Sequence, residues 1–127
     1  MLNKSGVISI TGTGHLEAFL EAMSKGDVEG AIAHVADNIA LRSPIVPMPF
    51  EGKGPVANVI AQLLDTVDAF EPKLLLREGL DVVAVLTIRF DDHVIDAFDH
   101  IHLNNAGLIE SMTLAWRPLP AVVAVQQ

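Results

Sequence analysis

The chain has no cysteine and no tyrosine, and it carries only 8 lysines and arginines against 16 aspartates and glutamates in 127 residues. Without cysteine there is no disulfide, no thiolate nucleophile and no cysteine-based zinc site, and the redox compartment leaves no mark on the sequence. Without tyrosine, no phenol can donate a hydrogen bond to a substrate. The formal net charge of -8 repels a phosphate backbone, and no basic patch offsets it, which argues against nucleic acid as a partner. Also missing is any stretch of roughly 18 or more apolar residues that could span a membrane. The opening MLNKSGVISITGTG breaks each apolar run with polar residues and glycine, unlike the core of a signal peptide. The expectation is a soluble, cytoplasmic protein with no membrane partner.

What the chain does have is apolar surface. Half of its residues are hydrophobic and the mean hydropathy is +0.41, more than a core of this size consumes, so some of that surface is available for a cavity or a partner. The length suits one domain. Leu16, Phe19, Leu20 and Met23 recur at helical spacing and predict a helix from about Thr13 to Lys25, ended by Gly26. Asp27 then suits the N-cap of a second short helix presenting Val28, Ala31, Ile32 and Val35. NIALRSP alternates as a strand with Ile39, Leu41 and Ser43 on one face, stopped by Pro44.

The proline-rich PIVPMPFEGKGP is irregular and delivers the chain to Pro55, at the first turn of a third helix with Val56, Val59, Ile60, Leu63, Leu64 and Val67 on one stripe. From Pro72 the period changes to two, in runs separated by Gly79, Asp91-Asp92 and Asn104-Asn105-Ala106-Gly107, which are turn residues of antiparallel hairpins. The predicted fold is α+β: three helices on one face of a curved antiparallel sheet. Residues 13–118 form the single domain, with an arm over 1–12 and a tail over 119–127.

One strand contains a residue out of keeping with its neighbours. In IDAFDHIHL, strict alternation puts Ile95, Ala97, Asp99, Ile101 and Leu103 on one face. A carboxyl group there is costly when ionised, so burial is expected to raise its pKa and favour the neutral acid. Perturbed carboxyls in clefts are functional candidates. The plain alternative is a solvated or ion-paired structural aspartate.

DHIHLNNAGLIESMTLAW, with GDVEGAIAHVADNIALRSP and FEGKG upstream, resembles the nuclear-transport-factor-two-like (SnoaL-like) superfamily, nearest to its ketosteroid isomerase branch. The resemblance runs from about Thr13 to Pro118 and rests on the joint order of loose motifs. It implies a cone-shaped, curved sheet wrapped with the helices round an apolar pocket for a small hydrophobic ligand, commonly a homodimer through the outer sheet face, with no cofactor. Ketosteroid isomerases hold a base aspartate, a tyrosine and a protonated aspartate that donates a hydrogen bond. Asp99 falls on the last of these. Phe19 falls on the tyrosine and Ser43, just before Pro44, on the base. A phenyl ring donates nothing, and a serine hydroxyl is too weak a base to take a proton from carbon unaided.

His34, near the end of the second helix, is a candidate to reach inward and share protons with Asp99; the plain reading is a histidine satisfied at a helix end. Phe98, His100 and His102 point to the opposite face by parity. The histidine spacing can chelate a metal, but with no third ligand at clear spacing the expectation is no metal and an interface between copies. Met112, Leu114 and Trp116 alternate on the last strand, and the resemblance puts them on the pocket wall with Phe19, as core and ligand surface together. The indole N–H of Trp116 needs a partner if buried, either Asp99 or a ligand. TGTG at Thr11–Gly14 fits no phosphate-binding pattern. Pro47, Pro49 and Phe50 form either a lid or a plain connector.

Three functions compete. The first is proton-transfer chemistry of isomerase, dehydratase or cyclase type on a small ring-bearing hydrophobic molecule, with Asp99 as acid and Ser43 and His34 as helpers. The second is a ligand-binding protein without turnover, and the third a dimeric association module.

Overall fold

The computed structural model describes residues 14–126; the arm expected over 1–12 and the last residue lie outside the described residues. The elements run α1 (His15–Lys25), α2 (Val28–Ile32), β1 (Val35–Arg42), β2 (Phe50–Glu51), α3 (Lys53–Thr66), β3 (Ala69–Glu78), β4 (Asp81–Phe90), β5 (His93–Leu103), β6 (Ile109–Arg117) and α4 (Leu119–Gln126). They form the expected α+β cone, a six-stranded curved sheet in the order β2-β1-β6-β5-β4-β3, with helices against its inner face. No helix among the described residues is long and apolar enough to cross a membrane.

The local signals act as their chemistry dictates. Gly26 closes α1 in the left-handed region at φ 73, where its N–H and that of Asp27 satisfy carbonyls of the last turn. The Asp27 carboxylate caps α2 by accepting the Gly30 N–H at 2.9 Å, and a Cβ at Gly30 would overlap that carboxylate. Gly79 begins the two-residue turn between β3 and β4, at a position where φ is positive. Along β5 burial alternates without a break, with Ile95, Ala97, Asp99, Ile101 and Leu103 inside and Val94, Phe98 and His100 outside.

Three details differ from the sequence expectation. The sheet is not wholly antiparallel, since β1 runs parallel to β6. The second helix ends at Ile32, and Val35 opens β1; five residues of helix had too short a period to separate from a strand start. Residues expected as a tail form α4, whose Ala121, Val122 and Val125 are buried. That makes four helices instead of three. LPAVVAVQ is apolar on nearly all sides, so it shows no helical periodicity, although Pro120 suits a first turn.

The altered end of α2 also relocates His34. Its N–H donates to the Ala31 carbonyl and its own carbonyl accepts from Ile109. The ring lies 2.9 Å, Nδ1 to Nδ1, from His15 on the first turn of α1. One Nδ1 donates and the other accepts, so the pair cannot be fully protonated and keep this bond. Desolvation first, and the neighbouring His15 second, lower the pKa of His34 below 6.5. A histidine with a depressed folded pKa contributes stability that is complete above 6.5 and is lost as pH falls through the folded value. The thermal midpoint of the wild type is therefore expected to exceed that of His34→Ala most at neutral pH, with the gap closing on acidification. A gap independent of pH would contradict this pairing.

Candidate functional site

Between the sheet and the helices lies a cavity of about 520 Å3. Its walls come from the apolar stripes that fold the chain: Phe19, Leu20 and Met23 of α1, Val59 and Leu63 of α3, Ile101 of β5 and Met112 and Leu114 of β6. Val125 of α4 also lines it. The helical and strand periodicities that bury these residues therefore also shape the hollow, and the core is the cavity wall.

Asp99 sits in this wall at 3% exposure. Its cross-strand neighbours are Ala84 on β4 and Leu114 on β6, and Ala97 and Ile101 flank it on its own face. Trp116 pairs with Ala97, one step along the same face. Diagonal neighbours of this kind are within reach of a long aromatic side chain, and the small Ala97 leaves room for it. The indole N–H donates to Asp99 Oδ1 at 2.8 Å. This is the only hydrogen bond to the Asp99 carboxyl among the described residues, and Oδ2 has none. Burial pushes the Asp99 pKa up to about 7, with the Trp116 bond pulling the other way because an N–H favours the anion.

The other sequence candidates divide. Phe19, Met112, Leu114, Trp116 and Ser43 line the cavity. The Ser43 oxygen already accepts the N–H of Ile45 at 3.1 Å and of Val46 at 3.4 Å, so it turns the proline-rich loop. His34 is not in the cavity wall: contrary to its expected inward reach toward Asp99, it faces His15. Pro44 and Phe50 bring the loop against the cavity. On the outer face, one oxygen of Asp81 accepts from His100 Nε2 at 3.0 Å and from His102 Nδ1 at 2.9 Å. These two bonds, His102 first, hold the Asp81 pKa below its usual value.

Sequence reasoning missed the polar side of α3. Asn58, Gln62 and Asp65 are exposed and line the mouth of the cavity. Their spacing of four and three residues was the available signal, placing them on one helix face beside the apolar stripe. Among the lining residues, Asp99 and Asp65 are the ionisable ones, and there is no lysine, arginine or histidine.

A bent sheet whose inner face, closed by helices, surrounds an apolar hollow with one buried acid defines the class: a nuclear-transport-factor-two-like cone. The chain belongs to the limonene-1,2-epoxide hydrolase catalytic domain family, whose profile matches residues 11–116. No curated protein sequence matches it. Among solved structures it is similar to a steroid delta-isomerase from Pseudomonas aeruginosa, with a TM-score of 0.79 and 20% identity over 93% of this chain and 90% of that one. It is also similar to an NTF2-like protein of unknown function from Cytophaga hutchinsonii, with a TM-score of 0.71 and 22% identity over 89% and 96% of the two chains. A third similar structure is the epoxide hydrolase/cyclase-like enzyme SalBIII of pyran ring formation in salinomycin, with a TM-score of 0.69 and 20% identity over 78% and 84%. At these identities the structural likeness speaks for the fold.

The buried acid gives a pH test whose sign follows from its raised pKa. Between 3.8 and about 7 the folded chain holds a proton that the unfolded chain has released, so stability falls as pH rises through that window. Asp99→Asn is expected to remove this slope and to be the more stable protein at pH 8, by at most on the order of 4 kcal/mol. Urea unfolding near pH 5 and about pH 8 checks it. In carboxyl NMR titrations, Trp116→Phe is expected to move the Asp99 midpoint upward. A midpoint near 4 in the wild type would contradict the burial argument.

Proposed function

We propose that this protein transfers protons to and from a small, hydrophobic, ring-bearing molecule held in the cavity, in a reaction of isomerase, dehydratase or cyclase type. The observation that carries this reading is the position of Asp99: buried, in the cavity wall, with one oxygen held by Trp116 and the other without a described partner. A group with a pKa near the working pH both gives and takes protons readily. As the neutral acid, Asp99 donates to a carbonyl, hydroxyl or epoxide oxygen of the ligand. The carboxylate left behind is stabilised by the indole N–H already in place.

The ketosteroid isomerase arrangement is incomplete in this chain. By the resemblance, Phe19 falls on the tyrosine and Ser43 on the base, and the Ser43 oxygen accepts two backbone N–H groups. An acid acting on a ligand oxygen suits these residues better than proton abstraction from carbon. The names of the family and of the cyclase-like neighbour support oxygen-directed chemistry of this kind. That Asp99 is the one buried ionisable group among the described lining residues favours the other reading, a binding protein in which Asp99 orients a ligand oxygen.

A panel of a β,γ-unsaturated cyclic ketone, a tertiary cyclic alcohol and a hydroxy-epoxide, followed by NMR, separates the two. The catalytic reading expects turnover of at least one compound and a loss of about 100-fold or more in Asp99→Asn, with binding retained. Binding without turnover in the wild type, weakened in Asp99→Asn, would establish the binding protein instead.

We also infer a homodimer through the outer sheet face. Leu76 and Val83 pair across β3 and β4 on that face, with Phe98 of β5 diagonal to Val83, at 47%, 37% and 45% exposure, a patch bordered by the Asp81, His100 and His102 cluster. Contiguous exposed apolar surface of this kind marks association sites. Phe98→Glu is expected to convert a dimer to a monomer in light scattering without loss of fold; a wild type that is monomeric would refute the interface.

A further inference from the structure

The cavity mouth carries information about the far end of the ligand. Asn58, Gln62 and Asp65 lie on one face of α3 and line the opening, opposite in character to the apolar walls within. None of the three side chains has a hydrogen bond or ion pair among the described residues, so their polar atoms are free for a ligand. Among the described residues, two carboxyl groups and no cation line the cavity. A ligand that buries its ring system, offers an oxygen to Asp99 and reaches the ridge with its other end meets these three polar side chains there.

Resting on the reading of the cavity as a ligand site, we propose that Asn58, Gln62 and Asp65 determine specificity: they accept a neutral hydroxyl on the distal end of the ligand and turn away anions. The amides of Asn58 and Gln62 can each donate and accept, and the Asp65 carboxylate accepts only. A hydroxyl meets both requirements. A carboxylate, phosphate or sulfate on the ligand would face Asp65 with no positive side chain among the described lining residues to offset it, while losing part of its hydration at the apolar wall. The substrate class is therefore a neutral molecule with polar oxygen at both ends and rings between.

Three matched probes test this: a bicyclohexyl ketone with a hydroxyl on its far ring, the same ketone without the hydroxyl, and the same ketone with a carboxylate in its place. Binding is read from the fluorescence of Trp116, the single tryptophan, and by calorimetry. In the wild type the hydroxy-ketone is expected to bind about fivefold more tightly than the plain ketone, as a net hydrogen bond allows. The carboxylate is expected to bind about tenfold more weakly than the plain ketone. Asn58→Leu combined with Gln62→Leu should erase the hydroxyl preference, and Asp65→Asn should recover part of the carboxylate binding. These positions are exposed, and circular dichroism verifies that the variants fold.

Equal affinity for all three probes, with a loss for each in Asp99→Asn, would overturn the role of the ridge and leave the cavity reading intact. A fivefold preference that survives the double substitution would also overturn it. Failure of every probe to bind the wild type would sink the cavity reading and the ridge with it.

Discussion

The structure depends on a single carboxyl group being tolerated where the sheet is otherwise apolar. Asp99 is surrounded on its own face by Ala97 and Ile101 and across the strands by Ala84 and Leu114, and one indole N–H is its described polar partner. An isolated carboxylate in such a place is expensive, and the chain meets the cost by holding the group as the acid for most of the range below neutrality. Strand parity enforces the arrangement. A slip of one residue in β5 would put His100 inside and Asp99 outside, and it would expose Ile95, Ile101 and Leu103 at the same time. The acid is therefore fixed in the cavity wall by the same apolar residues that make it uncomfortable.

The cone makes room for this without losing its core. The apolar faces of α1 and α3 do not close completely on the sheet, and the space between them is the cavity. The parallel seam between β1 and β6 brings the end of the first strand, with Ser43 and the proline-rich loop, to the same opening as Trp116. Through Val125, α4 contributes a further piece of apolar wall. Chain segments far apart in sequence meet here because the strand order places β6 between β1 and β5.

Much of this was legible in the sequence where one period ran long enough. The alternation of IDAFDHIHL gave both the strand and the anomaly of Asp99, and Gly26, Asp27 and Gly79 marked turns through conformations or caps that few residues supply. For the Trp116 N–H the sequence left two partners, Asp99 or a ligand, because a buried N–H has few places to go, and the structure pairs it with Asp99. Other features had no such signal. The five residues of α2 run straight into β1, so whether His34 followed helical or strand geometry could not be settled by counting. The apolar sides of α4 erase the contrast on which a helical pattern depends. The parallel pairing of β1 with β6 joins segments more than sixty residues apart, and nothing local in either strand announces it. Asn58, Gln62 and Asp65 read as a solvated helix face, which they are, and only the cavity beside them gives that face a second meaning.

The balance at Asp99 also limits what chemistry the site can perform. Burial favours the acid, the Trp116 N–H favours the anion, and the result lies near neutrality, so one group can release a proton and recover it without a large change in driving force. A reaction that needs one proton delivered to oxygen, with charge appearing on the carboxylate as it leaves, meets the indole N–H where that charge develops. For a base acting from elsewhere in the lining, the described residues offer Ser43, whose oxygen already accepts two backbone N–H groups, and Asp65, exposed on α3. Under the proposed function, an acid of this kind suits opening or closing a carbon–oxygen bond better than moving a proton between carbons. In such chemistry the nucleophile comes from water or from the ligand itself, and the second source suits a molecule with a second oxygen of its own.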